Sequence, residues 1–160
     1  MGEKRHRYAI RLEWTGNLGE GTANYRAYSR NHVISGTGKP AIEGSADPAF
    51  RGDPARWNPE EMLLASLSAC HQLWYLHLCA VAGVVVIAYQ DAAEGEMEEA
   101  ADGGGAFVRA VLRPRVTIAG VGDAQKARAL HQEAHAKCFI ARSVTFPVDC
   151  EAEIVEAQCS

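Results

Sequence analysis

The feature that most limits the fold is residues 57–83, WNPEEMLLASLSACHQLWYLHLCAVAG. They carry the length and the end signals of one long helix. Asn58 is placed to cap it, and Pro59 takes the first helical position, where a missing N–H costs nothing. Glu61 stands three residues after the cap and completes a capping box, while Gly83 supplies the stop. Met62, Leu63, Leu64, Leu67, Leu73, Trp74, Leu76, Leu78 and Val81 lie around the turns rather than along one stripe. Such a helix needs partners on most of its faces, and one sheet covers only one side. The remainder predicts a second copy packed against it, that is, an intertwined homodimer. A monomer covered only by a second helix is the alternative. Ser66, Ser68, His71, Gln72 and His77 interrupt the apolar run from Met62 to Ile87, which fits a buried helix and not a membrane span.

The flanking segments read mainly as strands. In RYAIRLEWTG (7–16), Tyr8, Ile10, Leu12 and Trp14 alternate with Arg7, Arg11 and Glu13, the pattern of a half-buried strand. GNLGEG is a turn; its glycines are followed by a strand, NYRAYSRNHVISG (24–36), so it lacks the helix start that a phosphate loop requires. Residues 39–56, with Pro40, Pro48 and Pro54, are loop-like. After the helix, residues 84–99 and 106–120 form a long hairpin across ADGGG. A second helix capped by Asp123 runs to Cys138, and residues 144–156 close the domain as a strand. The order predicts an α+β fold with mainly antiparallel pairing, and residues 1–160 as one domain.

Composition excludes some functions. With 16 basic and 20 acidic residues the net charge is −4, which gives no basic face for nucleic acid. No cationic stretch leads into an apolar N-terminal run. Five cysteines without such a signal suggest a reducing, cytoplasmic setting, where cysteines are more often catalytic or metal-binding than structural.

Two cysteines stand out. Cys70 lies in the middle of the first helix and Cys138 at the end of the second. Packing residues, metal ligands and a redox pair are the three readings open to them. His131, His135 and Cys138 share one helical face by spacings of four and three, which suits a metal. The order HQEAH is not H-E-x-x-H, however, and no CxxC accompanies it, so a solvated histidine face is the plain alternative. Cys70 lies ~18 Å along the axis from the N-cap, too far for the helix dipole to activate it. A thiol with an ordinary pKa of about 8.5 needs a nearby cation to become a nucleophile at neutral pH, and Arg51 and Arg56 precede the helix. Cys79 reads as core; Cys150 and Cys159 read as ancillary.

NPEEMLLASLSAC resembles the N-P-E-x-L…A-x-x-A-C signature of the osmotically inducible protein C and organic hydroperoxide resistance (OsmC/Ohr) family. HAKC, some seventy residues on, resembles the family's second-cysteine helix. The resemblance implies a single OsmC-like domain, with antiparallel sheets wrapped around long central helices in an intertwined homodimer. It further implies a thiol peroxidase of the oxidative-stress response, needing neither cofactor nor metal, with Cys70 as the peroxidatic and Cys138 as the resolving cysteine. Glu60 matches the glutamate of N-P-E, and Arg51 in AFRGD best matches the activating arginine, with Arg56 the alternative. On this reading Cys70 attacks an organic hydroperoxide, the sulfenic acid condenses with Cys138, and an external dithiol reduces the disulfide. Trp57, Leu73, Trp74 and Phe139 line an apolar substrate pocket, or else pack the core. The chain departs from the family at Phe139, commonly proline, and at His71, often apolar. Glu60 and Cys70 are about 15 Å apart in helical rise, so Glu60 more naturally serves the other subunit's Cys70. A non-catalytic binder of small apolar ligands and a His/Cys metal protein are the rival functions.

Overall fold

A computed structural model describes residues 2–158. Contacts gather in two compact units, Met1–Met62 and Leu63–Ser160. In the first, β1 (Arg11–Trp14), β2 (His32–Ser35) and β3 (Ile42–Gly44) form an antiparallel sheet in that order, with Leu12 opposite Ile34 and Val33 opposite Glu43. The expected strands at 7–16 and 24–36 are shortened for a local reason. Asn17 Oδ1 accepts hydrogen bonds from the Gly19 and Gly21 amides, and the Arg30 guanidinium donates to the Tyr25 and Tyr28 carbonyls while lying over both rings. These side-chain bonds to nearby backbone compete with a ladder and hold the segment as a compact loop.

The 39–56 loop contains β3 and one 3-10 turn, Pro48–Phe50, capped by Asp47, whose Oδ1 accepts from the Ala49 amide at 2.7 Å. Arg51 follows in the left-handed region at φ 66°. Beside it, a Cβ on Gly52 would collide with the Ala46 carbonyl, so the chain can turn here only with glycine. The capping box then forms as the sequence predicts. The Glu61 amide donates to Asn58 Oδ1 at 2.8 Å, and the Asn58 amide donates to Glu61 Oε2 at 3.2 Å.

Helix α1 runs from Pro59 to Ala82. It stops in a Schellman motif: Gly83 takes φ 75°, the Val84 amide donates to the Cys79 carbonyl, and the Gly83 amide to that of Ala80. The long hairpin is present but folded over at a corner. Its outer halves, β4 (Val86–Asp91) and β7 (Pro114–Ala119), pair antiparallel, as do the inner halves β5 (Glu94–Glu99) and β6 (Gly105–Leu112). The corner is fastened by Asp91, whose carboxylate accepts from the Arg113 amide and the Ser68 hydroxyl, and by Arg113 paired with Glu94 and Glu151. Among the described residues the strands therefore make three sheets of three.

Helix α2 (Ala124–Lys137) follows Asp123. The expected last strand divides into β8 (Val148–Cys150) and β9 (Glu153–Ala157), which pair parallel with β6 and β7. A crossover through a helix permits parallel pairing where a tight turn could not. Tyr75, Leu78 and Cys79 of α1 pack with Val116 and Ile118 of β7 and Ala127 and Ala134 of α2. Nearer its start, Leu67 packs with Ala110, Leu112 and Val148. A further face of α1 stays uncovered in the single chain, where Leu73 is 65% and Val81 73% exposed. Among the described residues no helix is long and apolar enough to cross a membrane.

Candidate active site

Cys70 sits half-buried in the middle of α1, and α2 delivers Cys138 to it. The second helix ends because Cys138 leaves helical geometry, with ψ at 113°, and a short 3-10 turn, Ala141–Ser143, folds back over it. The Ala141 amide points at Cys138 Sγ at 3.4 Å, and the Arg142 amide donates to the Cys138 carbonyl at 3.0 Å. Cys138 is only 1% exposed. Burial pushes its thiol up to about 11, against partial relief from the Ala141 amide, and the adjacent Cys70 thiol adds to the rise. Two thiols 68 positions apart in the chain thus become neighbours, as a disulfide requires.

Leu73 and Trp74 follow Cys70 by three and four residues and share its helical face. With His77 they line an open recess of about 300 Å³, nearly all apolar. Lys137 Nζ lies 5.7 Å above the Trp74 ring, and Phe139, largely exposed, meets the same ring edge-on. Three of the four residues expected to line a substrate pocket are therefore brought together. The fourth, Trp57, belongs to the first unit, where its backbone bonds to Glu43 and Ser45.

The two candidate arginines differ. Arg56 is engaged with Glu43 at 3.5 Å and Asp53 at 3.9 Å and donates to the His32 carbonyl. Arg51 is exposed and has the Tyr25 ring 5.9 Å from its guanidinium carbon. Among the described residues it is the one non-glycine with positive φ, a costly backbone state that clusters at functional positions. Glu60 lies in the first turn of α1.

The face expected to carry His131, His135 and Cys138 does not act as a unit. His131 turns into the core while Cys138 turns to Cys70. Among the described residues, the His, Cys and carboxylate groups gathered closely enough for a common ion are His71, His131 and Cys150. His71 drew notice in the sequence only as a departure from a motif, and Cys150 only as ancillary. No spacing could have joined them, since they come from α1, α2 and β8. Cys79 is buried in the core as expected, and Cys159 lies outside the described residues.

The long helix, the bent hairpin and the parallel return strands make an α+β fold. The profile of the OsmC-like protein family matches residues 52–153, and the chain belongs to that family. An OsmC-like protein of unknown function from Vibrio cholerae has 31% identity and a TM-score of 0.83, over 93% of this chain and 100% of that one. Two organic hydroperoxide resistance proteins are similar in fold. That from Legionella pneumophila has 18% identity and a TM-score of 0.66, over 94% of this chain and 99% of its own. That from Elizabethkingia anophelis has 18% identity and a TM-score of 0.65, over 96% and 100%. No curated protein sequence matches the chain.

Proposed function

We propose that the chain is a thiol-dependent peroxidase that reduces organic hydroperoxides. The observation that carries this is the adjacency of the Cys70 and Cys138 thiols beside an apolar recess. The Cys70 thiolate attacks the distal oxygen of ROOH, the O–O bond breaks, and the alkoxide takes a proton to leave as ROH. Cys70 is then a sulfenic acid, two electrons oxidised. The Cys138 thiolate attacks its sulfur, hydroxide leaves as water after protonation, and a disulfide forms. An external dithiol supplies the two electrons that restore both thiols. Arg51 holds the thiolate and Glu60 orients the guanidinium. The commitment of Arg56 to Glu43 and Asp53 favours Arg51 for this role. Leu73, Trp74 and Phe139 favour an alkyl substituent over hydrogen peroxide.

The exposure of Leu73, Val81, Val85 and Ile87 in the single chain supports a homodimer in which a second copy covers them. The cytoplasm, with its dithiol reductants, is the setting that suits this cycle. Two fold relatives are organic hydroperoxide resistance proteins, which supports this reading.

Rapid mixing of the reduced protein with an alkyl hydroperoxide tests the proposal. Stoichiometric peroxide loss, abolished in Cys70→Ser, is expected. Cys138→Ser should give one fast turnover and then stop with Cys70 as a sulfenic or overoxidised acid. Saturable binding of an apolar ligand with no peroxide consumed would instead favour the binding-module alternative.

A further inference from the structure

We propose that His71, His131 and Cys150 form a binding site for a borderline-soft divalent cation of the Zn2+ class, separate from the Cys70–Cys138 pair. The three side chains come from α1, α2 and β8, and one ligand atom of each lies within 4.8 Å of the others. His71 Nε2 is 2.9 Å from His131 Nδ1 and 3.8 Å from Cys150 Sγ. Zinc bonds of about 2.05 Å to nitrogen and about 2.3 Å to sulfur, at tetrahedral angles, place two nitrogens about 3.3 Å apart and nitrogen and sulfur about 3.6 Å apart. The two pairs that involve His71 lie within a few tenths of an ångström of these separations, and His131 Nδ1 and Cys150 Sγ, within 4.8 Å of each other, have to close by up to about 1.2 Å.

As a plain core contact the histidine pair is poorly made. The residues are 1% and 4% exposed, and the outer nitrogens, His71 Nδ1 and His131 Nε2, have no hydrogen-bond partner among the described residues. Two neutral rings sharing one hydrogen bond leave one outer N–H and one outer lone pair orphaned, whichever tautomer is drawn. Buried groups in that condition call for an explanation beyond packing. A cation bound between the inner nitrogens replaces the shared proton with two metal–nitrogen bonds and fixes both outer nitrogens as N–H donors. The ligand set also suits the ion: imidazole and thiolate together select Zn2+ over Mg2+ or Ca2+, which take oxygen.

The rings are held in place. Tyr75 stacks on His131 with centroids 3.8 Å apart, and its hydroxyl donates to the Ala127 carbonyl. His71 and His131 lie nearly coplanar, at 3°. An entry path exists as well. A cavity of about 520 Å³ is walled by His131, Cys150, Arg128, His135 and Asp149, so a three-ligand ion there keeps a fourth position open to water. On binding, Cys150 gives up its thiol proton to solvent and the ion takes its place, with no change in oxidation state. His71 is about 100° around α1 from Cys70, so the ion and the peroxidatic thiol occupy different sides of the helix.

Co2+ titration of the reduced, chelator-treated full chain tests this, since Co2+ reports thiolate ligation through a charge-transfer absorption band. One equivalent per chain is expected to produce that band and tetrahedral visible bands, and Zn2+ should displace it. Cys150→Ser should remove the charge-transfer band, and His131→Gln should weaken binding by at least the ~100-fold that even outer-shell changes reach. Cys70→Ser and Cys138→Ser should keep the band. Should the variants unfold, X-ray absorption of the zinc-loaded wild type still decides: one sulfur and two imidazoles are expected in the shell. No charge-transfer band at saturating Co2+, a band lost in Cys70→Ser but kept in Cys150→Ser, or a shell with two sulfurs would each overturn the site.

Discussion

Phe139 meets Trp74 edge-on, with ring centroids 5.6 Å apart and planes at 80°, so the residue after Cys138 touches the indole one helical turn beyond Cys70. Any shift of Cys138 on forming a disulfide moves a ring against that indole. Oxidation by one equivalent of alkyl hydroperoxide is therefore expected to change tryptophan emission. Trp74→Phe should lose most of the change, although Trp14 and Trp57 remain. An undiminished signal in Trp74→Phe would dissociate this contact from the cycle.

The second prediction concerns pH. The Cys138 thiol is pushed up to about 11, chiefly by burial. Attack on the sulfenic acid requires the thiolate, whose fraction grows about tenfold per pH unit while it is small. The disulfide-forming phase in stopped flow should accelerate from neutral pH upward and level off as pH approaches the thiol's pKa. A flat or falling profile between pH 6 and 9, roughly the range where the fraction stays small, contradicts Cys138 as the resolving thiol. Stability moves the other way. A thiol raised in the folded state contributes stability below the unfolded thiol pKa, and that contribution is lost as pH rises toward about 11.

Subunit complementation tests the roles of Glu60 and the dimer together. If Glu60 of one chain serves Cys70 of its partner, Glu60→Ala and Cys70→Ser homodimers are each impaired. Their heterodimer carries both lesions in one site and leaves the other intact, so about half the sites work. Co-refolded mixtures should regain activity. If heterodimers form and no rescue appears, each chain uses its own Glu60.

Two positions on α1 separate folding from association. Leu67 is fully buried between α1 and the β6–β8 pair, and Leu67→Ala is expected to cost about 2–5 kcal/mol in denaturant unfolding. Val81 is 73% exposed in the single chain, so Val81→Glu should change the chain's own stability by no more than about 0.5 kcal/mol. If a second copy covers it, the same substitution shifts the sedimentation profile from dimer to monomer. A stable Val81→Glu dimer would place the interface elsewhere.

By itself the sequence determined those features whose causes are local. The Asn58–Glu61 capping box and the Gly83 stop use atoms within a few residues of one another, so α1 could be bounded closely. The paired cysteines were legible through a motif, although only the fold shows α2 ending where Cys138 meets Cys70. Tertiary structure alone decided the rest. The long hairpin is cut at a corner because Asp91, Arg113, Glu94 and Glu151, scattered over 61 positions including both ends, satisfy one another there. The closing strands run parallel because α2 carries the chain across before it pairs again. His71, His131 and Cys150 converge for the same reason: three elements with no shared periodicity are packed on one core, and only packing sets distances between residues that far apart.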